Sequence, residues 1–307
     1  MKKGAVMKTR LMRHPCREAT IAGAAAKVPA AIIAAVLLGI TASPARADCN
    51  PAERINASCY SNLQDATTAA IAANQPLWLP AGTYVLNREL VIDYAPLAAT
   101  GFQIISDGAV IDATATGLRA IMVTCSGGTP ANPKECFYFH IQGTLFVNAN
   151  TWEAAVRFGL NDYSDAHDSA KVDHLIANNA GSGSAVRLNY VLNGDIFAVA
   201  VTGLLMDQVQ FSKISGAASA TTGTAMLIQN GYTFSNTTSA IDLEVAQTCL
   251  AITSPSASHN TFVSPYFACP TAIVASSGAS NPLFNPLYGG GTSAPAPGSQ
   301  TGILTLT

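Results

Sequence analysis

Apolar residues recur at helical spacing over residues 63–74 and then switch to alternation with polar ones. Leu63, Ala66, Ala70 and Ile71 mark one face of a short helix. Ser61 or Asn62 can accept its first free N–H groups, so a helix is predicted over 61–74. Asn74 suits a left-handed helix end, and Pro76 cannot continue a helix. Leu77-Trp78-Leu79-Pro80-Ala81-Gly82-Thr83-Tyr84-Val85-Leu86 reads as strand, corner, strand. From there on the apolar runs are short and broken by Gly, Ser, Thr and Asn, with no second long amphipathic helix. That is the pattern of many short strands.

The strands recur. Ala154-Ala155-Val156-Arg157-Phe158 is echoed by Ser184-Ala185-Val186-Arg187-Leu188, Thr224-Ala225-Met226-Leu227-Ile228, Thr248-Cys249-Leu250-Ala251-Ile252 and Thr271-Ala272-Ile273-Val274-Ala275. Successive second residues lie 30, 40, 24 and 23 positions apart. The last two intervals suit bare coils of a solenoid, and the first two leave room for loops. A second family interleaves: Phe139-His140-Ile141-Gln142-Gly143, Asp173-His174-Leu175-Ile176, Asp207-Gln208-Val209-Gln210-Phe211, Asn260-Thr261-Phe262-Val263 and Asn281-Pro282-Leu283-Phe284. The two families read as two faces of a coil. Asn178, Asn179, Asn230, Asn260, Asn281 and Asn285 are expected to stack as corner ladders, each amide bonding to neighbouring coils.

A short amphipathic helix followed at once by Pro80-Ala81-Gly82-Thr83-Tyr84 resembles the beginning of right-handed parallel β-helix proteins of the pectate-lyase-like superfamily. The resemblance covers about thirty residues. It implies an all-β, right-handed parallel β-helix (a solenoid) whose open first coil is lidded by the helix. It also implies a protein that cleaves, epimerises or binds polysaccharides along the solenoid's flank. The acidic pair and glutamine usual in that helix are reduced here to Asp65, with Ala70 and Ala72 in the later slots. The polygalacturonase-type signatures Asn-Thr-Asp, Asp-Asp, Gly-His-Gly and Arg-Ile-Lys are not found, nor is a dense calcium-binding carboxylate array. The resemblance therefore transfers no catalytic residue.

Composition refines this picture at the ends. Seven Lys and Arg precede the apolar run 28–40, and Ser43-Pro44-Ala45-Arg46-Ala47 offers an Ala-x-Ala cleavage site. Residues 1–47 read as a Sec-type signal peptide, with the product secreted or periplasmic. The run is too short to span a bilayer, so no membrane span is expected in the mature protein. Residues 48–290 are read as one β-helix domain including the cap helix, and 291–307, rich in Gly, Ser, Ala and Pro, as a flexible tail.

Removing the leader changes the charge. The whole chain has 16 basic and 18 acidic side chains, but 8 of the basic ones and only Glu18 lie in the first 47 residues. The remainder carries 8 basic and 17 acidic groups, a net of −9. Such a domain is a poor partner for nucleic acid or anionic lipid. Six cysteines remain and form three close sequence pairs, read as disulfides Cys49–Cys59, Cys125–Cys136 and Cys249–Cys269 of an oxidising compartment. Six cysteines permit 15 connectivities. No Cys-x-x-Cys spacing favours a metal site.

The candidate chemistry follows from the repeats. Arg157 and Arg187 occupy one slot in neighbouring coils, with Val156 or Phe158 and Val186 and Leu188 facing inward, so the arginines face outward. Stacked strands lie ~4.8 Å apart, and like charges at that spacing need something negative between them. Either a protein carboxylate or the substrate supplies it. The stretch 161–174 is the densest in titratable groups and contains Asp162, Asp165, His167, Asp168 and Lys171. Two of its aspartates could act as the carboxyl pair of a glycoside hydrolase. Alternatively, Arg157, Arg187 and His167 bind a uronic acid while Lys171, His167 or an arginine takes the α-proton in β-elimination. Asp162, Asp165 and Asp168 could also hold Ca²⁺; no other cofactor is implied. The competing readings are structural. The arginines can form surface ion pairs with Asp162 or Asp195, the aspartates can belong to a solvated loop, and His140 and His174 can share a repeat slot on the surface. Trp78 beside the cap helix reads as core, and Trp152 as a stacking platform. Two functions follow: an enzyme acting on an acidic polysaccharide by elimination or hydrolysis, or a non-catalytic glycan-binding or adhesive β-helix.

Overall fold

A computed structural model describes residues 49, 53–114, 117, 119–220, 223–276, 280–289, 291–292 and 303–306. The expected signal peptide (1–47) and most of the expected tail (293–302 and 307) lie outside the described residues. Within them the fold is all-β with one α-helix, Leu63–Ala73. The Asn62 side chain caps that helix by accepting from the Asp65 N–H at 2.9 Å. Asn74 ends it in the left-handed region at φ 50°. Leu63, Ala66, Thr67 and Ala70 are its buried face.

The strands form three parallel sheets, and successive strands of a sheet come from successive coils of the chain. This is the connectivity of a parallel β-helix. One coil runs His140–Ala149 in sheet A, Ala154–Phe158 in sheet B and Asp165–Asp168 in sheet C. The next repeats this as Lys171–Asn179, Ser184–Asn189 and Val191–Leu192. Sheet C has three strands and the later coils dispense with it, leaving single bridges at Gln210. Leu145, Leu175 and Leu283 from sheet A meet Val156, Val186 and Ile273 from sheet B in one continuous core. A solenoid buries its apolar side chains coil by coil in this way.

All five members of the first repeat family stack in sheet B. The 40-residue interval between two of them is not a loop, however. It contains an extra coil whose sheet B strand, Leu204–Asp207, pairs with both Ser184–Asn189 and Thr224–Gln229. Consequently Asp207 ends a sheet B strand and Gln208 to Phe211 forms a corner; the sheet A strand of the extra coil is Asp195–Ala200, and Lys213–Ser219 opens the next coil. His140 and His174 do not share a slot either: a register shift pairs His140 with Lys171 and His174 with Thr144. Trp78 is half-buried and outside the core, its Nε1–H donating to Asp107 at 2.8 Å and Arg54 stacked 3.6 Å from its ring centroid. Ile303–Leu306, within the stretch expected as a tail, pairs in parallel with Asn281–Phe284.

All three expected disulfides are present: Cys49–Cys59, Cys125–Cys136 and Cys249–Cys269. The asparagine ladder also exists, with changed membership. Asn236, which the repeats did not reveal, donates through Nδ2 to Asn260 Oδ1 at 2.8 Å, and Asn260 donates likewise to Asn281 at 3.0 Å. All three are buried. Asn179 is buried too, but serves the Thr151–Ser184 turn. Asn230 and Asn285 are instead left-handed corner residues. Asn260→Ala removes both an acceptor and a donor from buried neighbours. It should lower unfolding free energy by about 3 kcal/mol, read from urea titrations with an unchanged slope.

Candidate functional site

The register places Arg157 against Arg187, as the repeats require. Glu153, one residue before the sheet B strand, supplies the negative charge between them. Its Oε1 accepts from Arg157 Nη1 and lies 3.8 Å from Arg187 Nη1. Its Oε2 accepts from Arg119 Nη1 at 3.2 Å. The row continues both ways. Arg119 forks Glu89 at 2.6 and 3.2 Å, and Arg187 Nη2 lies 3.6 Å from Asp207, which also accepts from Tyr163 and Gln229. Three guanidiniums thus share three carboxylates across the outer face of sheet B, with Glu153 common to all three. Arg157 is 0% exposed, and burial lowers its pKa, with Arg187 and Arg119 adding to that against Glu153. The arginine pair is neutralised by the protein itself. Neither Asp162 nor Asp195 is its partner.

The 161–174 stretch does not converge on one point. Asp162 Oδ1 accepts from the N–H and hydroxyl of Ser164, tying its own turn. Asp165 and His167 point into the solenoid and are both 0% exposed. Asp165 accepts from Thr124 Oγ1 at 2.8 Å, Cys125 N–H at 3.1 Å and Leu160 N–H at 2.6 Å. His167 Nδ1 meets the Tyr94 hydroxyl at 2.8 Å, and its Nε2 lies 3.3 Å from Asp165. Phe158 packs edge-on to the imidazole. Burial raises the Asp165 pKa, but His167 and the backbone donors outweigh it and hold the carboxyl below its ordinary value. Burial, then Asp165 and Asp168, push the Tyr94 phenol far up. These buried groups cannot touch a polymer, so Asp165 and His167 are not its catalytic or binding contacts. Asp168 turns elsewhere, accepting from Ser169 and Asn193 at 2.8 and 3.1 Å. Among the described residues no cluster of three or more His, Cys, Asp and Glu is placed to hold a metal ion.

Lys171 opens onto a different place, a cleft of about 420 Å³ where sheet A begins. Gln75, Gln103, Tyr138, His140, Ser169 and Lys171 contribute its polar and aromatic lining, and no lining residue is Asp or Glu. Gly101, at φ 81°, lets two coils approach here: a Cβ would lie 2.5 Å from the Tyr138 carbonyl. Gln103, His140 and Lys171 are register partners on three successive coils. Just outside, Asp173 accepts from both His140 Nε2 and Lys171 Nζ at 3.1 Å. Burial raises the Asp173 pKa, and those two partners more than reverse it. Lys171 is still 55% exposed and Tyr138 59%. Of the catalytic and binding candidates named from the sequence, only Lys171 lines this cleft; His140 does too, but the sequence read it as a structural surface residue. Glu153, Tyr138 and Gln103 were missed. Glu153 had one signal, its place four residues before Arg157; Tyr138 had none.

No protein-family profile matches the chain, and no curated protein matches it in sequence. Among solved structures it is similar to the crystal structure of Dettilon tailspike protein (gp208), with 11% identity and a TM-score of 0.31 over 79% of this chain and 64% of that one. It is also similar to the Agl-KA catalytic domain, with 10% identity and a TM-score of 0.24 over 83% and 68% of the two chains. A third is the catalytic domain of GH87 α-1,3-glucanase in complex with nigerose, at 10% identity and a TM-score of 0.25 over 80% and 60%. The chain thus spans 64% of the tailspike's length. At these scores no substrate and no residue role transfers to this chain.

Two substitutions test the arginine row and the buried Asp165–His167 pair. Glu153→Gln leaves the buried Arg157 without its anion and should cost about 3 kcal/mol or more in urea unfolding, far beyond a surface ion pair. The second concerns acid. Because the folded Asp165 carboxyl titrates below its unfolded value of 3.8, its share of stability is complete above that value. The share is lost as pH falls through the lower folded value. Asp165→Asn should therefore be less stable at neutral pH and show a shallower loss of stability on acidification, measured by denaturant midpoints across a pH series.

Proposed function

We propose that this chain is an exported carbohydrate-active β-helix that takes an acidic polysaccharide in the cleft at Tyr138, His140 and Lys171 and cleaves it by β-elimination. The observation that carries this reading is the cleft's lining: an ammonium, an imidazole, an exposed phenol and amides, with no carboxylate. A carboxyl pair would be needed for glycosidic hydrolysis. Sugars stack on exposed aromatics and bond to amides and hydroxyls, and a cation neutralises a uronic carboxylate. The three disulfides and the leader-like first 47 residues support export.

In this reading Lys171 binds the uronate carboxylate and so acidifies the adjacent C–H. Asp173 holds His140 by Nε2, which leaves Nδ1 to accept that proton. The C–H electron pair forms the new C=C bond as the glycosidic C–O bond breaks. The departing oxygen takes a proton from the Tyr138 hydroxyl or from water. The arginine row, internally neutralised, acts as a brace for sheet B.

A second reading, a non-catalytic glycan-binding or adhesive β-helix, is favoured by one observation: Asp173 already engages both His140 and Lys171. Incubation with a panel of uronate-containing polysaccharides separates the two. The elimination reading expects rising absorbance from unsaturated products, a loss of about a hundredfold or more in His140→Ala, and activity retained in folded Arg187→Ala. Binding without any such product favours the second reading. Absence of both binding and product defeats the glycan assignment.

A further inference from the structure

Beyond the cleft, the same two rows of side chains continue along the solenoid. The first row is Tyr138, Ser169, Asn193, Phe211, Ser235 and His259. Each has φ between 49° and 59°, and each N–H donates to the coil that follows. The left-handed conformation turns the chain sharply and throws these side chains outward. The next residue, from Phe139 and Ala170 to Asn236 and Asn260, is buried. The residue after that begins sheet A and faces outward again. This second row is Gln103, His140, Lys171, Asp195, Lys213, Thr237 and Thr261, each in register with its neighbours. The cleft is the first few steps of this double row.

The spacing suits an extended sugar chain. Neighbouring coils lie ~4.8 Å apart, close to the rise of one hexopyranose in an extended polymer. Tyr138 and Phe211, 59% and 57% exposed, stand on the same row three coils apart. Phe211 is braced edge-on by Phe234 with centroids 5.3 Å apart. Charges on the second row alternate. Lys171 and Lys213 are two coils apart, with the exposed Asp195 between them. A homopolymer of uronic acid would set a carboxylate against Asp195. A polymer with an acidic sugar at every second position would meet both lysines and place a neutral sugar's hydroxyls at Asp195.

We infer that the double row is a linear subsite array for an acidic polysaccharide of alternating acidic and neutral residues, one sugar per coil. This rests on the cleft being the glycan site proposed above. The test uses two oligomer series, hyaluronan fragments (alternating glucuronate and N-acetylhexosamine) and oligogalacturonates, from dimers to octamers. Affinity is measured by titration calorimetry on the wild type, Tyr138→Ala, Phe211→Ala and Asp195→Asn. Hyaluronan fragments are expected to bind at least tenfold tighter than oligogalacturonates of equal length. Phe211→Ala should weaken only fragments long enough to span four coils. Asp195→Asn should narrow the gap by raising oligogalacturonate affinity severalfold. If Tyr138→Ala weakens binding while Phe211→Ala and Asp195→Asn change nothing, the array is refuted and the cleft stands. Oligogalacturonates binding equally or better would refute the alternating repeat. If Tyr138→Ala leaves binding unchanged, the cleft reading itself falls. No binding of either series overturns both.

Discussion

Backbone hydrogen bonds between one coil and the next set everything else in this molecule. A strand in sheet A or B spends its N–H and C=O groups on the coils either side, so each coil must return in register with the last. Register then dictates which side chains stack. Val156 lands on Val186 inside, and Arg157 lands on Arg187 outside. Inside, like on like is favourable because apolar surfaces leave water together. Outside, like on like is costly for charges.

The arginine row shows how that cost is met. Glu153 reaches between Arg119, Arg157 and Arg187, and Asp207 and Glu89 close the ends. Burial makes the arrangement matter, since Arg157 has no water to fall back on. The same rule operates where the sheet A strands begin, with Asp173 between His140 and Lys171. There the groups stay open to solvent, and the cleft beside them keeps a chemistry that the arginine row has used up internally.

The buried Tyr94, His167 and Asp165 chain is a third consequence of register. Sheet C brings Asp165 and His167 onto the inner face, where Tyr94 meets His167 and the Thr124 hydroxyl and Cys125 N–H meet Asp165. Residues that look reactive in the sequence thus become part of the core. Their polar atoms face one another instead of a substrate.

The solenoid class, the capped helix over 61–74 and all three disulfides were legible in the sequence, because each depends on residues close together or on a repeated period. Asn62 and Asn74 bound the helix by local geometry alone, and each cysteine pair is joined across a short span. The stacking of Arg157 on Arg187 was legible for the same reason. What only the tertiary structure decided is where each coil's phase puts the intervening residues. An extra coil at Leu204–Asp207 hid inside one interval, and Asp207 to Phe211 was thereby misplaced. Glu153, Tyr138 and Gln103 are ordinary residues in the sequence, and they acquire roles because neighbouring coils bring Glu153 beside Arg119 and Arg187, Tyr138 beside Lys171, and Gln103 beside His140. Local pattern specifies how a coil is built. The number of residues between strands specifies which way a side chain faces, and that is settled only when the coils stack.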